Sequence, residues 1–502
     1  MSELTRREIV GGAAAVTALS LAGPALAQSG NANRLRGAIE SAQDMNVRRL
    51  QQWIANPSIA AENRNMAEGA AYMADLARTA GFQQSTVVQT RGAPGVFATM
   101  DNGARRTLAL YFMYDVKQFD PAEWSSPPLE ARVIDRPGLG KCVVGRGAVN
   151  QKGPENNVLS ALAAFKAAGL RPPVNLVLVA EGEEEIASPH FRDITTQPQV
   201  LAALKRCEGV YIPFASQGRN GAVDVNLGAK GAVELELIST GAARGRGPAK
   251  DIHSSLAAMV DSPAWHLVNA LNTLTDKGGT HPAVPGWFDR VKPLTARERE
   301  ITLMNARANS EAEFKRGFGV QRFIDDLSWE DANLRLVSQP TINIEGLTGG
   351  YMGPGGKTVL PGRATAKIDL RLVPDMTPED CVAKLKKHLA DGGYGDIEVK
   401  VTGGYGPTQT DENSRLIKAE LATYRAMGAS ATLNARIAGS WPGVVFTGEP
   451  VSLPAGQYGL GHGSGAHAPD EYFVVESANP KVAGLAEGAM SHVNLWYEIA
   501  RG

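Results

Sequence analysis

The sequence predicts an α/β protein whose main domain is interrupted by a smaller α+β insert. From Asn33 to about Asp224, short apolar runs alternate with helical patterns; after Gly228 strict apolar/polar alternation takes over; beyond 397–402 the first style returns. Alternating strands and helices imply a largely parallel sheet between helical layers. Strict alternation instead marks half-exposed antiparallel strands. At 502 residues the chain exceeds one ordinary core, so about three domains, or equally two large ones, are expected.

The elements follow in chain order. Thr5, Arg6 and Arg7 precede an apolar run from Ile9 to Ala22, and Ala25, Leu26 and Ala27 form a small-x-small cleavage pattern. Residues 1–27 therefore read as an export signal of twin-arginine type, cut near Ala27, with a periplasmic or secreted product; the alternative is an ordinary Sec signal that carries two arginines. The run is too short and too rich in Gly and Ala for a transmembrane helix, and no later stretch is apolar for long enough. In the first part of the main domain, 33–226, residues 107–116 (TLALYFMYDV) and 174–180 (VNLVLVA) read as buried strands, and 157–168 as a helix. The insert, 227–396, carries strand patterns at 232–240 and 363–373 and helical patterns at 264–274 and 378–389, with a Gly/Pro-rich loop at 346–356. The second part of the main domain, 397–502, adds helices at 414–427 and near the C-terminus.

Composition narrows the function. Lysine plus arginine total 51 and aspartate plus glutamate 52, a formal charge of −1, so no overall field gathers nucleic acid or anionic lipid. Cys142, Cys207 and Cys381 are too scattered for a disulfide scaffold, and at most one bridge could form.

The densest chemistry is Glu181, Glu183, Glu184 and Glu185, directly after the strand ending at Ala180. Carboxylates at that edge of a parallel sheet sit where open α/β folds place their sites. A solvated acidic turn is the equally weighted alternative on this cluster alone. Asp115, at the end of an earlier strand, and Asn150 in the loop 145–154 could converge on the same edge, while His467 in Ala466–Tyr472 (AHAPDEY) reads by itself as a surface loop histidine that only its company raises. Two other motifs fail: a phosphate loop ending at Thr358 needs glycine where Tyr351 stands, and a nucleophile elbow around Ser464 needs glycine at His462.

Taken together, these segments resemble the two-metal aminoacylase, carnosine dipeptidase, glutamate carboxypeptidase and succinyl-diaminopimelate desuccinylase family (metallopeptidase family twenty). The ordered pieces are Tyr114-Asp115-Val116, Gly145 to Ala148, Lys152 to Pro154, Glu181 to Ser188, Asp251 to Ser254, Lys357 to Pro361, Arg371 to Pro374 and Ala466 to Tyr472. The resemblance implies a catalytic α/β domain and a ferredoxin-like insert serving as lid and dimerisation domain, hence a homodimer. It implies Glu184 as general base, Glu185 and His467 as metal ligands, and Asp115 as the acid orienting the first ligand's site. It further implies His253 as an oxyanion donor reaching the partner subunit's site, and Arg371 and Ser440 as binders of the substrate carboxylate. A planar guanidinium pairs bidentately with such a group.

The departures fall on the metal. Met113 stands where the family has its first histidine, Asn150 replaces the bridging aspartate, and no acid occurs between Glu208 and Asp224, where the second aspartate is due near Phe214 or Ala215. Asn150, Glu185 and His467 could hold one zinc or manganese ion weakly, or no metal binds. Zinc lowers the pKa of bound water from about 15.7 to about 7, on the order of 12 kcal/mol of nucleophile activation. The leading expectation is an amide or peptide hydrolase acting on dipeptides or N-acyl amino acids. The alternatives are an inactive periplasmic ligand-binding homologue and a metal-independent acid/base enzyme, with Glu184, Asp115 and His253, on an activated substrate. Gly403 stands where the carnosine dipeptidase branch has a further substrate-contacting histidine.

Overall fold

The computed structural model describes residues 30–276 and 278–501, and the expected export signal lies outside them. Two sheets dominate, built from β1 (Gln84–Val88), β2 (Gly95–Met100), β3 (Thr107–Met113), β4 (Asn175–Glu181), β5 (Val210–Pro213), β6 (Gly231–Thr240), β7 (Thr341–Gly349), β8 (Arg363–Leu372), β9 (Glu398–Tyr405) and β10 (Ala455–Tyr458).

The main sheet runs β1-β2-β4-β3-β5-β10, with β4, β3, β5 and β10 parallel and an antiparallel β1-β2 edge. Its strands read as continuous apolar runs because both faces are covered. Leu108, Leu110 and Phe112 of β3 join the core formed with helices Met66–Ala80, Gly153–Ala167, Arg415–Ala426 and Leu485–Arg501. The alternate residues Ala109, Tyr111 and Met113 pack on the opposite face against Phe191, Trp441 and Phe446.

The second sheet is antiparallel, in the order β7-β8-β6-β9. Helices Pro263–Asn272 and Pro378–Asp391 supply Leu267, Leu271, Leu385 and Leu389 to its core. The succession β6, helix, β7, β8, helix, β9 is the ferredoxin-like pattern expected for the insert. Its fourth strand, β9, carries the insert's sheet past position 396.

The structure differs from the sequence-based reading in three places. The segment 346–356 is not all loop: β7 runs through Gly349, paired with β8 and bulged between Ile344 and Gly346. Edge pairing here overrides the turn signal of the glycines. Helices Ala296–Ala308, Glu311–Phe318 and Trp329–Ser338 fill a stretch of the insert to which no element was assigned. Cys142, Cys207 and Cys381 are all free and buried, so the one bridge allowed for is not formed. No helix among the described residues is long and apolar enough to cross a membrane.

Candidate active site

The site lies at the C-terminal edge of the main sheet, where β3 and β4 run parallel and end together at Met113 and Glu181. The chain turns sharply after β4: a Cβ on Gly182 would collide with the Tyr114 ring, so this position requires glycine. The four glutamates of the turn have different duties. Glu181 is buried and accepts hydrogen bonds from Tyr111 Oη (2.8 Å) and Ser188 Oγ (2.9 Å). Glu183 pairs with His190 Nδ1 at 2.8 Å and accepts from Ala93 N at 3.0 Å. Both hold the turn together. Glu184, half-buried, and Glu185, buried, are left for the site.

Asp115 fixes that pair. It is buried, and its carboxylate accepts from the backbone N–H groups of Glu184 (3.3 Å) and Glu185 (3.0 Å). Burial, reinforced by the Glu185 charge, pushes its pKa up to about 8. Glu184 is raised well above the ordinary carboxylate range by burial, then by Glu185, Asp115 and Glu181, with Lys117 opposing them.

Asn150, Glu185 and His467 converge as expected. Asn150 Nδ2 donates to Glu185 Oε1 at 2.6 Å and lies 3.3 Å from His467 Nε2, which is 3.2 Å from Glu185 Oε2. Glu471, four residues after His467, organises the loop bearing Asn150. It is buried in an ion pair with Arg146 (2.8 Å) and accepts from the backbone N–H of Gly147, Val149 and Asn150. Sequence reasoning overlooked Glu471, although it stands inside a quoted motif.

Lys117 was also overlooked. Its Nζ lies 3.5 Å from Glu185 Oε2 and donates to the Glu185 carbonyl oxygen. The available signal was its position two residues beyond Asp115, beside a dense run of acids lacking a cation.

These residues do not fit a two-metal centre. Among the described residues, no group of three or more His, Cys, Asp or Glu side chains is placed to hold a metal ion. Met113 offers no sulfur to the site, because its side chain packs in the apolar layer with Tyr111 and Phe446. The Asn150 amide presents its donor to Glu185; turning its oxygen there would set two acceptors against each other. The Lys117 ammonium already lies against Glu185, and a second cation there would be repelled.

Arg371 and Ser440 are brought together across the two domains. Arg371 Nη1 donates to Ser440 Oγ at 3.0 Å while its Nε binds Asp369 at 2.8 Å. Tyr405, at the end of β9, is raised by burial, then by the Glu184 charge, with Arg371 opposing them. Gly403 abuts the acidic turn: a Cβ there would stand 2.9 Å from Ala187 Cβ, leaving no room for a histidine. His253 is exposed on the insert and bonds Thr358 Oγ1 (3.1 Å) and Ser255 Oγ (2.8 Å). Within one chain its recorded partners are the insert's own residues.

Residues 227–396 match the family model described as a peptidase dimerisation domain. The chain is similar to an M20 family metallo-carboxypeptidase from Sulfolobus solfataricus, at 29% identity and a TM-score of 0.78 over 91% of this chain and 99% of that one. The chain is homologous to the M20 peptidases. Among curated family members, the Beta-Ala-His dipeptidase of Homo sapiens is 30% identical over 292 residues, 57% of this chain and 54% of that enzyme. The Cys-Gly metallodipeptidase DUG1 of Candida albicans is 26% identical over 356 residues, 67% of this chain and 70% of that enzyme. The match to the human enzyme thus spans about half of its length, whereas the structural likeness to the archaeal carboxypeptidase takes in nearly all of both chains.

Proposed function

We propose that this chain hydrolyses amide bonds in small carboxylate-bearing substrates, dipeptides or N-acyl amino acids, at an altered site that does not use the two-metal chemistry of its relatives. The observations that carry the reading are Glu184 on a turn fixed by Asp115 and the Arg371–Ser440 pair that bridges the two parts of the fold. Relatives that cleave Beta-Ala-His and Cys-Gly support the substrate size.

In this reading the Arg371 fork and Ser440 hold the carboxylate. Glu184 takes a proton from water as the water oxygen attacks the amide carbon, then returns that proton to the departing nitrogen as the C–N bond breaks. A raised Glu184 pKa suits both halves of this transfer. Export through the arginine pair at Arg6 and Arg7 and homodimer formation through the insert belong to the same proposal. The exposure of His253 is compatible with its reaching the partner's site as an oxyanion donor.

The test is turnover of a dipeptide and N-acyl amino acid panel by the mature chain, before and after exhaustive chelation. Turnover that survives chelation and disappears in Glu184→Gln is expected. Tight binding of such compounds with no turnover would replace this reading by that of a ligand-binding homologue.

A further inference from the structure

Lys117 is the one feature of the acidic edge that the family resemblance leaves without a role. It follows Asp115 by two residues on the turn after β3, so the backbone that fixes Asp115 also delivers Lys117 to the edge. Two of its three possible donations are accounted for, to the Glu185 carbonyl and toward Glu185 Oε2 at 3.5 Å. The same carboxylate takes Asn150 on its other oxygen, so Glu185 is surrounded by an amide donor, an ammonium and the His467 ring. The Lys117 side chain is 33% exposed, so it is open to solvent and not sealed beneath the acidic edge.

We propose that the Lys117 ammonium is a built-in cation standing in the place of a metal ion, holding Glu185 and offering its remaining N–H to the carbonyl oxygen of a bound substrate. Three independent features fit this substitution. Met113 has withdrawn into the apolar layer, Asn150 supplies a donor where a cation would need an acceptor, and the stretch between Glu208 and Asp224 supplies no acid to balance a second charge. A fixed monocation beside one carboxylate is already paired, whereas a dication added beside it would meet repulsion. In catalysis, which rests on the hydrolytic reading above, Lys117 transfers no proton. It stabilises charge on the carbonyl oxygen while Glu184 carries the proton from water to the leaving nitrogen.

The two ideas are separated by measuring zinc affinity as well as turnover. Mature wild-type protein, Lys117→Met, the double variant Met113→His with Asn150→Asp, and the triple variant adding Lys117→Met are titrated with zinc chloride by calorimetry, with folding checked by circular dichroism. The triple variant is expected to bind zinc at least about 100-fold more tightly than the double variant, because only the former lacks the competing charge. Wild-type protein should bind no stoichiometric zinc, and Lys117→Met should lose at least about 100-fold in kcat on any substrate the wild type turns over. Should Lys117→Met not fold, Lys117→Gln keeps a donor to Glu185 while removing the charge. Equal zinc affinity in the double and triple variants, or stoichiometric zinc in wild type with Lys117 intact, overturns the proposal. Absence of turnover on every substrate would sink the hydrolytic reading, while the zinc comparison would still decide on Lys117.

Discussion

Two charged clusters, the acidic edge of the main sheet and the basic group around Arg371, form walls that are opposite in sign and alike in predicament. On the acidic wall, Asp115, Glu184 and Glu181 crowd together at the end of the main sheet, and burial among like charges holds their pKa values up. On the basic wall, Lys230 is buried beside Arg436, Arg371 and Arg335, and burial followed by those cations pushes it down to about 8. Each wall has partial compensation: Lys117 faces the acids, while Asp369 and Glu298 pair with Arg371 and Arg436 on the other side. Such paired perturbations are what a site poised for a charged ligand is expected to have. The difference is that several acids share one answering cation on the acidic wall, whereas on the basic wall Asp369, Glu298 and Asp325 each take an arginine and Lys230 rests on the Gln339 carbonyl.

The most severe way to break this comparison is at Glu184. Replacing it with Gln keeps the shape and the backbone bonds to Asp115 but removes the base, so turnover should fall by about 10²- to 10⁴-fold with little change in melting temperature. Steady-state kinetics alongside thermal unfolding checks it, and retained turnover would remove the acidic wall from the chemistry. Next in size is Arg146→Met, which strips the buried cation from Glu471. Breaking one side of a buried ion pair costs about 3–5 kcal/mol, read as a shift in the denaturant midpoint. The same change should loosen the loop holding Asn150, and an unshifted midpoint would show that the three backbone donors to Glu471 suffice.

On the opposite wall, Arg371→Lys keeps the charge and loses the planar fork. A rise in KM of about tenfold with a smaller change in kcat is expected if the fork holds the substrate carboxylate. An unchanged KM would move carboxylate recognition elsewhere, for instance to Lys230.

How much of this was legible in the sequence depends on which signal each residue sends. The strands β3 and β4 were readable because burial on both faces makes them unbroken apolar runs, and β6 and β8 because one covered face makes them alternate. Helix Ala296–Ala308 sends almost no signal: among its 13 residues only Ile301, Thr302 and Ala306 are buried, too little for a helical period to emerge. That Asn150 could share an edge with Glu185 followed from its place in the chain's strand order, whereas the parts of His467, Arg371 and Ser440 came from the family resemblance, since these partners lie as much as 317 residues apart. Lys117 stayed hidden because a lone lysine in a loop resembles any solvated surface charge. Its meaning depends on Glu185, which the fold places beside it from 68 residues away. Met113 was visible as a departure, but its withdrawal into the core followed only from knowing which face of β3 it occupies.

The smallest expected effect concerns protonation of the basic wall. Burial and its cationic neighbours push Lys230 down to about 8 from the ordinary lysine value of 10.5, so between those two values the unfolded chain binds more protons than the folded one. Stability should therefore rise with pH across that window, by at most about 1.4 kcal/mol per pH unit, and be flat in this respect below it, where both states are charged. Lys230 Nζ also donates to the Gln339 carbonyl at 2.6 Å, so a neutral replacement forfeits a hydrogen bond as well as relieving the repulsion. Denaturant unfolding of wild type and Lys230→Met from pH 7.5 to pH 10.5 separates the two effects. The difference in stability should widen with pH if the lysine titrates in the folded state. A carboxylate ligand bound by Arg371 should reduce that slope, because negative charge on the basic wall raises the Lys230 pKa toward its unfolded value. A slope indifferent to both the substitution and the ligand would leave the acidic wall as the only strained one of the two.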